Sequence, residues 1–303
     1  DVHDVTGAYP AVYGWELGDL ENGVAANLDT VNFKEMQGWI REGYRRGGII
    51  TISWHMDNPQ SGGSAWDTTR AVHTIVPGGR NHDLYLTWLD RFVEFVGGLK
   101  TGSFSWLGIG KPVPIIFRPF HEHTGSWFWW GKDNVTPEEY VRLWRFTIEY
   151  LRDKKGLHNL IYAYSTDVFD TEEEYLEHYP GDDYVDILGY DDYHSLRSDE
   201  TVSEMTERLR KLVLLAEARG KIAALTETGS EGVRDPHWWT NRLLRAVESD
   251  PIARRIAWAL VWRNANFKHH YAPYAGHPSA SDFVAFYQSP FVLFGDKLPD
   301  LYR

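Results

Sequence analysis

The feature that most restricts this chain is a repeated pairing of a short apolar segment with a longer amphipathic one. Strand-like runs occur at Ala11–Leu17, Ile49–His55, Val113–Phe120, Leu160–Asp167, Val185–Tyr193, Ile222–Gly229 and Ile256–Asn264. Each is rich in β-branched, aromatic or small apolar residues, and most are bounded by Gly, Pro or charged turns. Helical patterns fall between them, at about Asn32–Arg46, Leu84–Val96, Pro137–Lys154, Ser203–Arg219, Trp238–Glu248 and Ser281–Tyr287. Within the second, Leu86, Leu89, Phe92, Val93 and Val96 recur at spacings of three and four, as a buried stripe requires. Strands that alternate with helices pair in parallel through right-handed crossovers. The expected fold class is therefore α/β, a (β/α)8 TIM barrel, with an open doubly wound sheet as the alternative. Seven strands are visible, one short of closure. The eighth is expected either upstream of Asp1 or in an irregular segment such as Asp19–Thr30.

No repeat, low-complexity tract or Pro/Ser-rich linker interrupts the pattern, so residues 1–303 are expected to form a single catalytic domain. The long insertions Met56–Asp83, Glu122–Pro137 and Arg263–Ser279 all follow strand C-terminal ends, which form the catalytic face of a barrel.

Composition narrows the function. A formal charge of −12 without any Lys/Arg-rich block argues against nucleic acid and fits a neutral substrate. The absence of cysteine excludes disulfides, thiolate metal sites and cysteine nucleophiles. No apolar run is long enough to span a membrane, and no signal peptide lies in the given chain. Aromatic residues reach 15%, and their flat apolar faces suit the C–H-rich faces of sugar rings.

Chemistry-bearing residues gather at the strand ends. Val113–Phe120 runs into His121-Glu122-His123-Thr124-Gly125-Ser126-Trp127-Phe128-Trp129-Trp130-Gly131, and Ile222–Gly229 ends in Thr226-Glu227-Thr228. Two carboxyls on one barrel rim match the needs of glycoside hydrolysis, in which one protonates the leaving oxygen and the other attacks carbon or activates water. The first arrangement needs a separation of about 5–5.5 Å and the second about 6.5–9.5 Å, so the sequence leaves that choice open. The acid must stay protonated, which favours Glu122 beside Trp127, Trp129 and Trp130. Glu227, among hydroxyls and near a Tyr or Arg, suits the ionised role. Arg118 sits near the end of the strand that leads to Glu122, and His55, Asp191, Tyr193 and Trp262 sit at the ends of other strands, with Asp191 and Tyr193 on one face. Two other readings compete. His121 and His123, two apart on a strand, could bind Zn²⁺ in a metal-dependent barrel hydrolase. A non-catalytic glycan-binding barrel is the other, although such a protein would usually lose one carboxylate.

At these motifs the chain resembles glycoside hydrolase family 26, chiefly β-mannanases. The resemblance runs from Tyr9-Pro10-Ala11-Val12-Tyr13-Gly14-Trp15 through Gly47-Gly48-Ile49 and Ser53-Trp54-His55 to Trp262-Arg263. Its most specific stretch is Arg118-Pro119-Phe120-His121-Glu122, followed by Gly125 and Trp127. The resemblance implies a retaining enzyme in a (β/α)8 barrel, with Glu122 as acid/base after strand four and Glu227 as nucleophile after strand seven. It further implies that His55, His121, Trp127, Tyr193 and Trp262 surround the sugar at subsite −1 and that Arg263 reaches subsite −2. Arg118, Asp191 and Trp66 would support or flank them. The implied substrate is a β-mannan polysaccharide or manno-oligosaccharide, with mixed-linkage glucan, xylan or mannobiose-releasing exo action as alternatives. No cofactor and no catalytic metal are expected. A monomer is expected, and the substrate implies a secreted, periplasmic or surface-attached bacterial protein.

Overall fold

The computed structural model describes residues 1–102 and 109–302. All seven expected strands form, somewhat shorter than their apolar runs: β1 (Val12–Glu16), β2 (Ile49–Ser53), β3 (Ile115–Arg118), β4 (Leu160–Thr166), β5 (Ile187–Asp192), β6 (Ile222–Thr228) and β7 (Ala259–Val261). They make one parallel sheet in chain order. Helices fill the crossovers, among them α1 (Phe33–Arg45), α2 (His82–Gly97), α3 (Pro137–Ile148) and α4 (Val202–Ala218), and α5 (Ala280–Gln288) follows β7. Their starts are written locally. Asn32 caps α1 by accepting from the N–H groups of Lys34 and Glu35. Thr136 and Glu139 cap α3 reciprocally, with Pro137 in the first helical position.

Side-chain alternation divides each strand between two cores. Outward residues such as Ile52, Trp54, Phe117, Tyr164, Leu188 and Leu225 are fully buried against the helices. Inward residues build a second, smaller apolar layer inside the barrel from Ile116, Ala163, Ile187 and Ala224, with Ile49 and Trp258 against it. Two residues further along the same inward faces, the chemistry changes to Thr51, Arg118, Ser165, Gly189 and Thr226. The apolar layer closes the bottom, and the polar one opens upward.

The Asp19–Thr30 segment supplies no strand; it holds a 3₁₀ turn, Leu20–Asn22, entered through Asp19 in a left-handed conformation. Among the described residues, β1 and β7 are not paired with each other. They nevertheless approach closely, since a Cβ added at Gly14 would meet Leu260 Cδ1 at 3.2 Å. A cavity of about 890 Å³ lies along these two edges, bordered by Val12, Trp258, Phe283 and Phe294 among others. Among the described residues the chain is thus a nearly closed, seven-stranded α/β barrel, with β1 and β7 at its two unpaired edges.

Candidate active site

Arg118 closes β3 and is buried at the mouth of the barrel. Its guanidinium fork holds two carboxylates, Asp191 at 2.6 Å through Nη1 and Glu227 through Nη2. Asp191 also accepts from Ser165 Oγ at 3.0 Å and Thr226 Oγ1 at 2.8 Å. The position of Glu227 depends on an irregularity in pairing. Tyr190 pairs with Leu225, and the next pair is Asp191 with Glu227, which leaves Thr226 unopposed as a β-bulge. Such bulges re-aim side chains at functional rims. Tyr193, just past β5, donates its hydroxyl to Glu227 Oε1 at 2.6 Å.

Glu122 follows β3 in a tight turn, where both Phe120 and Glu122 have left-handed φ values of 50° and 53°. Non-glycine residues hold such angles only when neighbours enforce them. Here the Glu122 N–H donates to the Ser165 carbonyl at 3.0 Å, and the Tyr140 hydroxyl donates to the Phe120 carbonyl at 2.9 Å. Trp127 Nε1–H donates to Glu122 Oε2 at 2.8 Å. Trp129 and Trp130 do not reach the carboxyl, contrary to the expected aromatic surround. They are fully buried, donating to the carbonyls of Met56 and His121, and so tie the loop down from beneath.

One carboxylate oxygen each from Glu122, Asp191 and Glu227 lies within 4.8 Å of the others. Three oxygens so placed could present to a cation, but the guanidinium of Arg118 already stands between Asp191 and Glu227. Burial pushes the Glu122 carboxyl well above its usual range, and the negative charges of Asp191 and Glu227 push it further. Burial also lifts Glu227, while Arg118 and the Tyr193 hydroxyl pull it back, leaving it at about 7.

A second group completes the opposite wall. His55, just after β2, stacks on the half-exposed ring of Trp66 with centroids 5.2 Å apart. It meets His121 edge-on at 4.5 Å and Trp262 at 6.2 Å. The two histidines share one hydrogen between their Nε2 atoms, 3.1 Å apart. His121 and His123 do not share a face, as a zinc pair would require, because they follow the strand in a turn instead of extending it. His123 turns away, its two ring nitrogens bonded to the hydroxyls of Tyr164 (2.9 Å) and Tyr140 (3.1 Å). Arg263 does not stand free, since its Nη1 pairs with Asp29.

Sequence reasoning missed Glu16, which ends β1. It accepts from His55 Nδ1 (2.8 Å), the backbone N–H of His55 (2.7 Å) and of Gly18 (2.6 Å), and Ser53 Oγ (2.7 Å). Burial raises its carboxyl, but the His55 and Ser53 contacts outweigh that and hold it at about 2. Its signal was available, because a carboxylate closing an apolar strand is the pattern that singled out Glu227. Ser165, Thr226 and Asp29 were also missed; each acts through a partner on another strand or loop.

Comparison with known proteins gives a consistent picture. The sequence model described as Glycosyl hydrolase family 26 matches residues 1–258. The chain is 34% identical over 310 residues to a mannan endo-1,4-β-mannosidase of Bifidobacterium adolescentis, an alignment covering 95% of this chain but 30% of that protein. This chain therefore corresponds to less than a third of that relative's length. It superposes on a β-mannanase of the same family from Bacteroides ovatus with a TM-score of 0.93 and 45% identity, covering 100% of this chain and 86% of the other. A modular endo-β-1,4-mannanase from Cellulomonas fimi gives a TM-score of 0.89 at 34% identity, over 100% of this chain and 68% of that one.

Proposed function

Because the chain belongs to glycosyl hydrolase family 26, we propose that it is a retaining β-mannanase that hydrolyses β-1,4-mannosidic bonds by double displacement. The observation that carries this reading is the close approach of Glu122 and Glu227, with oxygens within 4.8 Å. That spacing matches a carboxylate that attacks carbon directly and leaves little room for the intervening water that inversion needs.

Glu227 is the nucleophile. Arg118 and Tyr193 favour its ionised form, and its attack on the anomeric carbon forms a covalent glycosyl-enzyme. Glu122 is the acid/base. In the first step it gives its proton to the departing glycosidic oxygen; in the second it takes a proton from water as that water attacks the same carbon and frees Glu227. Trp127 Nε1–H on Glu122 Oε2 leaves Oε1 for the proton. Asp191 balances Arg118, so the guanidinium is held in place when the charge on Glu227 is spent in the covalent bond. His55, His121 and Trp262 form the wall for the sugar at −1. Glu16 orients His55. Arg263, positioned by Asp29, reaches the next sugar, and Trp66 flanks the cleft. No metal and no cofactor enter the scheme.

The substrate is β-mannan, glucomannan or galactomannan, as the named activities of the similar proteins suggest. Residues 1–303 act as one catalytic domain and as a monomer. Such polysaccharides lie outside the cytoplasm, so the protein works secreted, in the periplasm or on the cell surface; no helix among the described residues is long and apolar enough to cross a membrane.

Azide rescue tests the division of labour. Glu227→Ala should lose at least about ten-thousand-fold in kcat, and azide with an activated mannoside should then yield the α-glycosyl azide. Glu122→Ala should yield the β-glycosyl azide. The opposite pair of products would exchange the two roles. A parallel digest of mannan, lichenan and xylan, with product sizing, tests the substrate, and release of oligomers from lichenan or xylan alone would overturn the mannan assignment.

A further inference from the structure

One carboxylate on the rim is left over by this scheme. Alternation along β4 turns Ala163 and Ser165 inward, and Asp167 follows directly on the strand's last residue, Thr166. Ala163 belongs to the apolar layer inside the barrel, and Ser165 Oγ bonds to Asp191 and Thr226 in the polar layer above it. Asp167 comes next on the rim of the barrel, near enough to Glu122 for its charge to act there. Its backbone N–H donates to Thr124 Oγ1 at 3.0 Å, which fixes it to the loop that carries Glu122.

The inward carboxylates are saturated. Asp191 has Arg118, Ser165 and Thr226; Glu16 has four donors; Glu227 has Arg118 and Tyr193. The Asp167 carboxylate has no hydrogen bond or ion pair with another side chain among the described residues, although the residue is only 9% exposed. The carboxylate takes the backbone N–H of Val168 and keeps further acceptor positions that no side chain fills, so it has room for a donor supplied from outside the chain. Burial pushes this carboxyl up to about 7, a state that a donated hydrogen bond would relieve.

Its side of the cleft follows from the neighbouring acid. The Glu122 N–H donates to the carbonyl of Ser165, two residues before Asp167, and the charge of Asp167 is among those that lift Glu122. The acid lies toward the departing sugar, whereas His55 and Trp66 follow β2 and Trp262 follows β7. We propose that Asp167 accepts a hydroxyl of the leaving-group sugar at +1 and so orients that ring for protonation by Glu122. The proposal rests on the glycosidase reading above.

The test compares kcat/KM for wild type, Asp167→Ala and Asp167→Asn, each at its own pH optimum, on mannopentaose and on an aryl β-mannobioside whose leaving group carries no hydroxyl. The expected result for Asp167→Ala is a loss of about 10- to 100-fold on mannopentaose, with the aryl substrate changed by less than about threefold. Asp167→Asn, which keeps one acceptor and the volume, should fall between. Equal losses on the two substrates would overturn the assignment, as would no loss on mannopentaose at all. A loss that vanishes once each variant is assayed at its own optimum would do the same, because Asp167 would then act only on the pKa of Glu122. Wild-type protein inert on both substrates would instead overturn the glycosidase reading itself.

Discussion

Burial lifts both Glu122 and Glu227, yet Arg118 and the Tyr193 hydroxyl act on Glu227 directly while, among the described residues, Trp127 alone donates to the Glu122 carboxylate. The pair therefore titrates as a unit in which the first proton lost belongs mainly to Glu227. Activity should follow a bell-shaped profile, its acid limb near pH 7 from Glu227 and its alkaline limb higher, from Glu122. Removing the Tyr193 hydroxyl in Tyr193→Phe withdraws support from the ionised form, so the acid limb should move to higher pH and kcat should fall about 10- to 100-fold. Unchanged limbs would mean that the 2.6 Å contact does not act on Glu227. The same shifts set stability. Glu227 is raised from 4.5 to about 7, so the fold binds its proton more tightly than the unfolded chain does. At neutral pH this costs on the order of 3 kcal/mol, a cost that appears as pH rises from about 4.5 through 7. Glu122 acts in the same direction. Thermal melts of Glu122→Gln should therefore exceed wild type at pH 8, by about 2–4 °C for each kcal/mol recovered, with the gap closing toward pH 4.5. Glu16 acts oppositely: held at about 2, it contributes stability that is complete above about pH 4.5 and lost as the pH falls toward 2. Glu16→Gln should lower the melting temperature at pH 7 and change it little near pH 2.

At the scale of elements, the decisive feature is the bulge where β6 faces β5. Gly189 makes room for it, because a Cβ there would sit 2.4 Å from Thr226 Cγ2 and 2.7 Å from its Oγ1. Gly189→Ala should displace Thr226, loosen Asp191 and misplace Arg118. The expected outcome is a destabilisation of about 1–3 kcal/mol in denaturant melts, with a larger proportional fall in kcat than in substrate affinity. The strand ends that carry Glu122, Glu227, Tyr193 and His55 were legible in the sequence, because an apolar run that turns abruptly polar marks the mouth of a barrel. The bulge was not legible, since it exists only relative to the partner strand's register. The left-handed turn at Phe120–Glu122 was hidden for a similar reason: its cause is a hydrogen bond to Ser165, 43 positions away. Misreading that turn as a continued strand put His121 and His123 on one face. Trp129 and Trp130 were drawn toward the carboxyl by their closeness in sequence, yet they tie its loop down from below.

For the whole molecule, the alternation of strand and helix was enough to anticipate a parallel barrel, and the strand order bears that out. The alternative location of an eighth strand in Asp19–Thr30 does not hold, since that segment folds as turns around Glu21, whose carboxylate takes the Trp54 indole N–H at 2.8 Å. The barrel explains why residues as distant as Glu16, Arg118, Asp191 and Glu227 meet: each lies at the C-terminal end of a strand of one parallel sheet, so all reach the same rim. It also brings a guanidinium between two carboxylates, which lets three acidic groups share one small volume. The central claim, that Glu122 and Glu227 act by double displacement, is tested most directly by the anomeric configuration of the first product. NMR recorded during the first minutes of manno-oligosaccharide hydrolysis should show the β-anomer accumulating before mutarotation. Initial release of the α-anomer would contradict the account.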